Sequence, residues 1–168
     1  MTWMFDIVLL APEIPSNTGN IVRTCAATGC RLHLIKPLGF DTSDRELKRA
    51  GLDYWHFVDI HIYEDLADFY RTCRPERCWY TSTKAARRYT DAAYRPGDYL
   101  FFGRETRGLP EELILSNLDH AIRIPMSGEI RSLNLSNSVA IVLFEALRQQ
   151  DFAGLLDEGK FGGNHEEA

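Results

Sequence analysis

The run Asp6–Ala11 (DIVLLA) is apolar after its first residue and too short for an ordinary helix, the pattern of a strand covered on both faces. A polar loop, Pro12–Asn17, follows. Apolar residues then recur at helical spacing from about Thr18 to Thr28, with Gly29 placed to end the helix. Arg31–Lys36 repeats the strand pattern and is stopped by Pro37 and Gly39. Ser43 or Asp44 is suited to cap a short basic helix that runs through Ala50 and ends at Gly51. Beyond it, His56–Ile62 reads as a strand, Glu64–Arg74 as a helix and Arg77–Thr81 as a strand. Tyr99–Phe102 is a short buried strand closed by Gly103, and Pro110 opens a helix to about Asn117. Ala121–Ile124 is the last strand, and a loop leads from it to the longest helix, about Asn134–Gln150. Strands alternating with helices predict an α/β fold, a mostly parallel sheet with helices on both faces. One domain spans 1–150, and the acidic stretch 151–168 is expected to be a poorly ordered tail.

The last helix departs from a simple amphipathic pattern, because Val139–Phe144 is six apolar residues in a row. A helix that is apolar all round is buried all round. In a chain of 168 residues that means a central position or cover from a second subunit, and a homodimer is the expectation. The chain is 45% hydrophobic, enough for one core, and no apolar run approaches the roughly 18 residues of a membrane helix. The segment MTWMFDIVLLAPE lacks a basic leader and carries Asp6 inside its apolar run, so a soluble cytoplasmic protein with no membrane partner is expected. Cys25–Cys30 and Cys73–Cys78 are spaced too widely for usual zinc pairs, and the histidines show no ligand periodicity, so buried thiols and no metal are expected.

A net charge of −5 argues at first sight against nucleic acid. The deficit is local: residues 151–168 sum to −4, whereas 82–107 sum to +3. Arginine supplies 15 of the 19 basic residues, and its planar fork suits phosphate. RNA therefore stays open as a partner, as does a plain solvated surface.

Three polar segments follow strands and carry the candidate chemistry. Pro15-Ser-Asn-Thr-Gly-Asn-Ile-Val-Arg23 opens a helix whose N-terminus favours anions, though the same residues suit a helix capped by Ser16, Asn17 or Thr18. Phe101-Phe-Gly-Arg-Glu-Thr-Arg-Gly-Leu-Pro110 holds two glycines with four residues between them. Leu109-Pro110 stands where a Walker loop needs Lys-Ser/Thr, which excludes that motif. Gly103 would let a flat ligand lie on the backbone, or the loop is a turn with Glu105 paired to an arginine. Ile124-Pro-Met-Ser-Gly-Glu-Ile-Arg-Ser-Leu-Asn-Leu-Ser136 is dense in hydroxyl and amide groups, and Ser132 or Asn134 is suited to cap the last helix. Parallel sheets bind ligands beyond strand C-termini, so the three loops are expected to converge on one pocket.

At these residues the chain resembles the SPOUT superfamily of S-adenosylmethionine-dependent RNA methyltransferases, and within it the small tRNA (cytidine/uridine-34)-2′-O-methyltransferases of the TrmL/YibK type. The segments are Ile7–Gly39, with PEIPSNTGNIVRTCAATG and LHLIKPLGF; Leu47–Tyr54, LKRAGLDY; Tyr99–Pro110; and Ile122–Gln149, with IRIPM and SLNLSNSVAIVLFEALRQ. Together they are specific, and they fall in order over nearly the whole chain.

The resemblance implies the SPOUT (alpha/beta knot) fold with a C-terminal trefoil knot and a homodimer through the first and last helices. It implies methyl transfer from S-adenosyl-L-methionine to the ribose 2′-OH of the wobble nucleotide of tRNA, with another RNA such as rRNA, or a silent cofactor-binding dimer, as alternatives. By motif position, Thr81, Gly103, Ile124, Ser132 and Leu133 match cofactor-binding positions, and Arg23 the motif arginine of catalysis. A guanidinium is always protonated and a poor base, so Arg23 suits phosphate positioning better than proton removal. Asn17, Glu105, Arg107 and Asn134 are implied as substrate-binding residues at the rim. Recognition of a tRNA anticodon stem-loop would use Arg45, Lys48, Arg49, Lys84, Arg87 and Arg88. Two positions depart from the family: Phe144 stands where tyrosine is common, and Arg104 where a small residue or proline is common.

Overall fold

A computed structural model describes residues 4–43 and 45–162. Seven parallel strands form one sheet: β1 (Asp6–Leu10), β2 (Arg31–Ile35), β3 (Ile60–Tyr63), β4 (Cys78–Thr81), β5 (Arg87–Arg88), β6 (Tyr99–Phe102) and β7 (Ala121–Arg123), in the order β3-β2-β1-β6-β4-β7-β5. The helices are α1 (Pro15–Thr28), α2 (Arg45–Gly51), α3 (Leu66–Cys73), α4 (Glu111–Leu115) and α5 (Leu135–Gln149). The side-chain period of two divides the core into two layers. Ile7, Leu9, Leu100, Phe102 and Trp79 face one layer with α1 and α5, while Val8, Tyr99, Phe101, Cys78 and Tyr80 face the other with Phe69 of α3 and Ile114 of α4. This double cover is why β1 and β6 read as unbroken apolar runs rather than alternating ones.

Several boundaries differ from the sequence reading. α1 begins at Pro15, three residues early, with Ile14 as an extended N-cap that has no side-chain cap of its own. The stretch read as a strand from His56 is a 3₁₀ turn, Leu52–Phe57, and β3 starts only at Ile60. Tyr54 and Trp55, just before the expected strand, pack against the α1 layer and hold the chain in the turn through Phe57. α4 stops at Leu115, and the two-residue strand β5 adds an edge beyond β7 that its charged sequence did not signal. Of the two candidate caps for α2, Asp44 lies outside the described residues. Asn134 caps α5, its side chain accepting from the Ser136 and Asn137 amides.

α5 follows β7 near one edge of the sheet, yet it packs on α1 and β6 in the middle. Val139, Val142, Leu143, Ala146 and Leu147 are buried there, while Ile141 is half-buried and Phe144 is 45% exposed. One face of the apolar helix therefore stays uncovered. Beyond α5, Phe152 and Leu155 pack back on the core, and residues 163–168 of the acidic tail lie outside the described residues. No helix among the described residues is long and apolar enough to cross a membrane.

Candidate functional site

Beyond the C-terminal ends of β4, β6 and β7 lies a cleft of about 680 Å³. Thr81 ends β4 and its hydroxyl donates to the Phe101 carbonyl at 2.8 Å, locking the strand ends that form the floor. Leu109, Leu115, Leu118, Ile122, Ile124, Met126 and Leu133 supply apolar walls. Leu115 and Leu118 are 59% and 61% exposed, so α4 and the turn after it hold open apolar surface at the mouth. All five residues matched to cofactor positions, Thr81, Gly103, Ile124, Ser132 and Leu133, line this one cleft. So do Glu105 and Arg107, whereas Asn17 and Asn134 do not.

The loop after β6 is shaped by its own return. The Gly108 amide donates to the Arg104 carbonyl at 2.8 Å, and Gly108 takes a left-handed φ of +67°. A Cβ at Gly103 would run into the backbone of Gly108 and Leu109. The glycine is needed because the chain doubles back on itself, which makes the loop a tight turn, one of the two readings its sequence allows.

Glu105 accounts for the early start of α1. Its carboxylate accepts from the Glu13 amide at 2.8 Å and the Ile14 amide at 3.0 Å, satisfying donors that a helix start leaves free. The expected anion site at this helix is thus filled from within the chain, and among the described residues Glu105 pairs with no arginine. The same carboxylate accepts from Asn17 Nδ2 at 3.3 Å, and Asn17 Oδ1 accepts from Asn134 Nδ2 at 3.0 Å. Glu13 answers in the other direction, accepting from the Thr106 hydroxyl at 2.6 Å. That bond above all, with Arg104 and Arg107 nearby, holds the Glu13 carboxyl below its usual range. Five side chains, Glu13, Asn17, Glu105, Thr106 and Asn134, therefore tie the three polar segments into one frame behind the cleft. Asn17 and Asn134 sit in that frame rather than at the rim.

Arg23 is placed elsewhere. It is exposed on α1, its guanidinium lies 5.0 Å from the Tyr54 ring centroid, and it does not line the cleft of its own chain. The basic residues expected to contact RNA fall into two groups. Arg45, Lys48 and Arg49 lie on α2 against α1, while Arg87 and Arg88 lie on β5 at the far edge of the sheet. Lys84 pairs with Glu111 at 3.2 Å and Arg88 with Asp91 at 3.0 Å. The sequence reading did not single out Arg131, Met126, Leu115 or Leu118, all of which line the cleft. The apolar positions of α4 and of the turn after it were the available signal for the last two. Among the described residues no cluster of His, Cys, Asp and Glu is arranged to hold a metal ion.

The model of the SpoU rRNA Methylase family matches residues 4–144. The tRNA (cytidine(34)-2′-O)-methyltransferase of Methylovorus glucosotrophus is 51% identical over 152 residues, which cover 90% of this chain and 99% of that one. A solved structure described as giving structural insights into the 2-OH methylation of C/U34 on tRNA superposes with a TM-score of 0.84 at 46% identity, over 89% of this chain and 98% of the other. An AdoMet-bound rRNA methyltransferase from Sinorhizobium meliloti superposes with a TM-score of 0.78 at 29% identity, over 88% of this chain and 57% of that one. A family match over most of the chain, a shared parallel sheet and a cleft lined by every matched cofactor position point the same way: this chain belongs to the SpoU rRNA Methylase family.

Proposed function

We propose that the protein transfers a methyl group from S-adenosyl-L-methionine to the ribose 2′-OH of nucleotide 34 of tRNA, a cytidine or modified uridine in the anticodon stem-loop, and acts in the cytoplasm. The observation that carries this reading is the convergence of Thr81, Gly103, Ile124, Ser132 and Leu133 on one cleft, in a chain that aligns at about half identity with C34 methyltransferases. The cleft fits the donor: about 680 Å³ lies within the roughly 300–1,000 Å³ of small-molecule sites, and apolar walls with a few polar groups suit an adenosine and a thioether chain. When bound, S-adenosyl-L-methionine supplies an electrophilic methyl on its sulfonium. The chain's own task is to hold that donor and a ribose oxygen in line, with water kept from the apolar walls. Thr81 and the Gly103–Pro110 turn form the floor and one wall, and the Glu105–Asn17–Asn134 ties fix the opposite segment.

Two copies are proposed to pair through the uncovered faces of α1 and α5, burying Ile141 and Phe144. Arg23 lies exposed on α1, and this pairing is what would bring its guanidinium to the acceptor strand, where it holds a phosphate next to the target ribose. The return of α5 from the β7 edge to the middle of the sheet supports a trefoil threading of the last segment. The test is transfer of labelled methyl from S-adenosyl-L-methionine to total tRNA from cells lacking this protein, with the product mapped by nucleotide. Label at the ribose of nucleotide 34 is expected. Label confined to ribosomal RNA, supplied in parallel, overturns the tRNA assignment.

A further inference from the structure

The charges at the cleft divide into spent and unspent ones. Lys84 and Glu111 neutralise each other at 3.2 Å. Glu105 is committed to the α1 amides and Asn17. Arg104, Arg107 and Arg131 also line the cleft, and among the described residues none of them lies within ion-pair distance of a carboxylate. Arg104 is half-buried, while Arg107 and Arg131 are exposed. Three guanidinium groups with no direct ion pair among the described residues thus ring one opening, the Glu13 carboxylate lying near two of them, Arg104 and Arg107, in a chain whose net charge is −5.

These cations are not explained by the methyl donor. S-adenosyl-L-methionine carries a sulfonium, an ammonium and one carboxylate, an excess of positive charge that a positive rim repels. A polyanion explains them. Resting on the function proposed above, we infer that Arg104, Arg107 and Arg131 form a clamp for the phosphodiester backbone of the RNA flanking the target ribose. The clamp, rather than Lys84 and Arg88, carries the salt-sensitive part of binding near the cleft, because those two are already paired within the chain. The planar fork of arginine grips phosphate oxygens in pairs, and such contacts set register without reading bases. A consequence follows for the order of events. Bound backbone cancels the rim's charge, so RNA should tighten the hold on the cationic donor more than on its neutral product, S-adenosylhomocysteine.

The test measures affinity for a tRNA anticodon stem-loop against salt concentration, alongside donor binding without RNA. Replacing all three (Arg104→Gln, Arg107→Gln, Arg131→Gln) should lower the slope of log affinity against log salt by about 2, at about 0.7 per single-strand phosphate contact. Affinity at low salt should fall about tenfold or more. Donor binding should persist. Arg71→Gln, which removes an exposed arginine paired with Asp68 on α3, should leave the slope unchanged and controls for net charge. If the triple variant loses donor binding, the tight turn at Arg104 has been disturbed, and the double variant Arg107→Gln, Arg131→Gln is read instead, with an expected slope change of about 1.4. An unaltered slope with intact donor binding overturns the clamp even if nucleotide 34 is methylated. Salt-dependent binding through these arginines without methylation of nucleotide 34 overturns the proposed function and leaves the clamp standing.

Discussion

Glu105 shows how one side chain can shape a site through the backbone it holds. The sequence offers it a neighbouring arginine as partner and the resemblance a place at the rim, but its partners lie about 90 positions away. Its carboxylate accepts from the amides of the N-cap residue Ile14 and of Glu13 before it, a role close to that of a cap, whose loss costs about 0.5–2 kcal/mol. Glu105→Ala is expected to lower stability by that amount in urea denaturation and to weaken donor binding in calorimetry. Glu105→Gln, which keeps one acceptor oxygen, should recover part of both. Full stability of the alanine variant combined with lost donor binding would make Glu105 a ligand contact instead. Gly103 makes a sharper case. A Cβ there meets backbone rather than a movable side chain, so Gly103→Ala should open the turn and abolish donor binding while the rest of the sheet folds. Retained donor binding, measured by calorimetry, would show that the loop tolerates the shift.

At the scale of elements, the join between β1, β2 and β3 holds a buried polar chain away from the cleft. His33 is 1% exposed, its Nε2–H donates to Asp6 at 2.7 Å, and its Nδ1 accepts from the Tyr63 hydroxyl at 2.8 Å. Arg31 Nε donates to the same Asp6 oxygen at 2.6 Å. Burial pushes the His33 imidazole below its ordinary value of 6.5, and the Asp6 hydrogen bond opposes that shift without cancelling it. The native state thus holds His33 neutral, and the unfolded chain takes up the proton first as pH falls. Stability from this group is complete above about pH 6.5 and is lost as pH falls through the lowered native value. Denaturation midpoints should be flat from pH 7 to 8 and decline below pH 6.5, and His33→Gln should flatten that decline. An equal decline in the variant would assign the pH dependence to other groups. The same region marks where the pattern misled: His56 and Phe57 read as the start of a strand, yet they close a 3₁₀ turn, and β3 begins only at Ile60.

For the whole molecule the question is what covers α5. Six consecutive apolar residues predicted burial on every side, and the chain itself covers all but the side that carries Ile141 and Phe144. With a second copy on that face, Phe144→Glu should yield monomers in sedimentation velocity and reduce methylation at least tenfold, since Arg23 would lose its route to the acceptor. A wild-type chain that sediments as a monomer at micromolar concentration would remove the proposed pairing. Arg23→Ala in the dimer should leave donor binding intact and cut turnover, and unchanged turnover would remove Arg23 from the mechanism.

Local chemistry alone determined a good deal. Apolar runs of strand length, glycine and proline stops and the alternation of elements fixed the fold class, because burial on both faces of a parallel sheet writes itself into short stretches of sequence. The family resemblance, rather than local chemistry, singled out Thr81, Gly103, Ile124, Ser132 and Leu133, which the fold gathers in one cleft. Tertiary structure decided which polar residues are free. Glu105, Asn17 and Asn134 are partners of one another, Lys84 and Arg88 are neutralised, and Arg104, Arg107 and Arg131 are left at the opening. Hydrogen bonds and ion pairs act over about 3–4 Å between atoms that the chain brings together from distant positions, and no local pattern records which of them will meet.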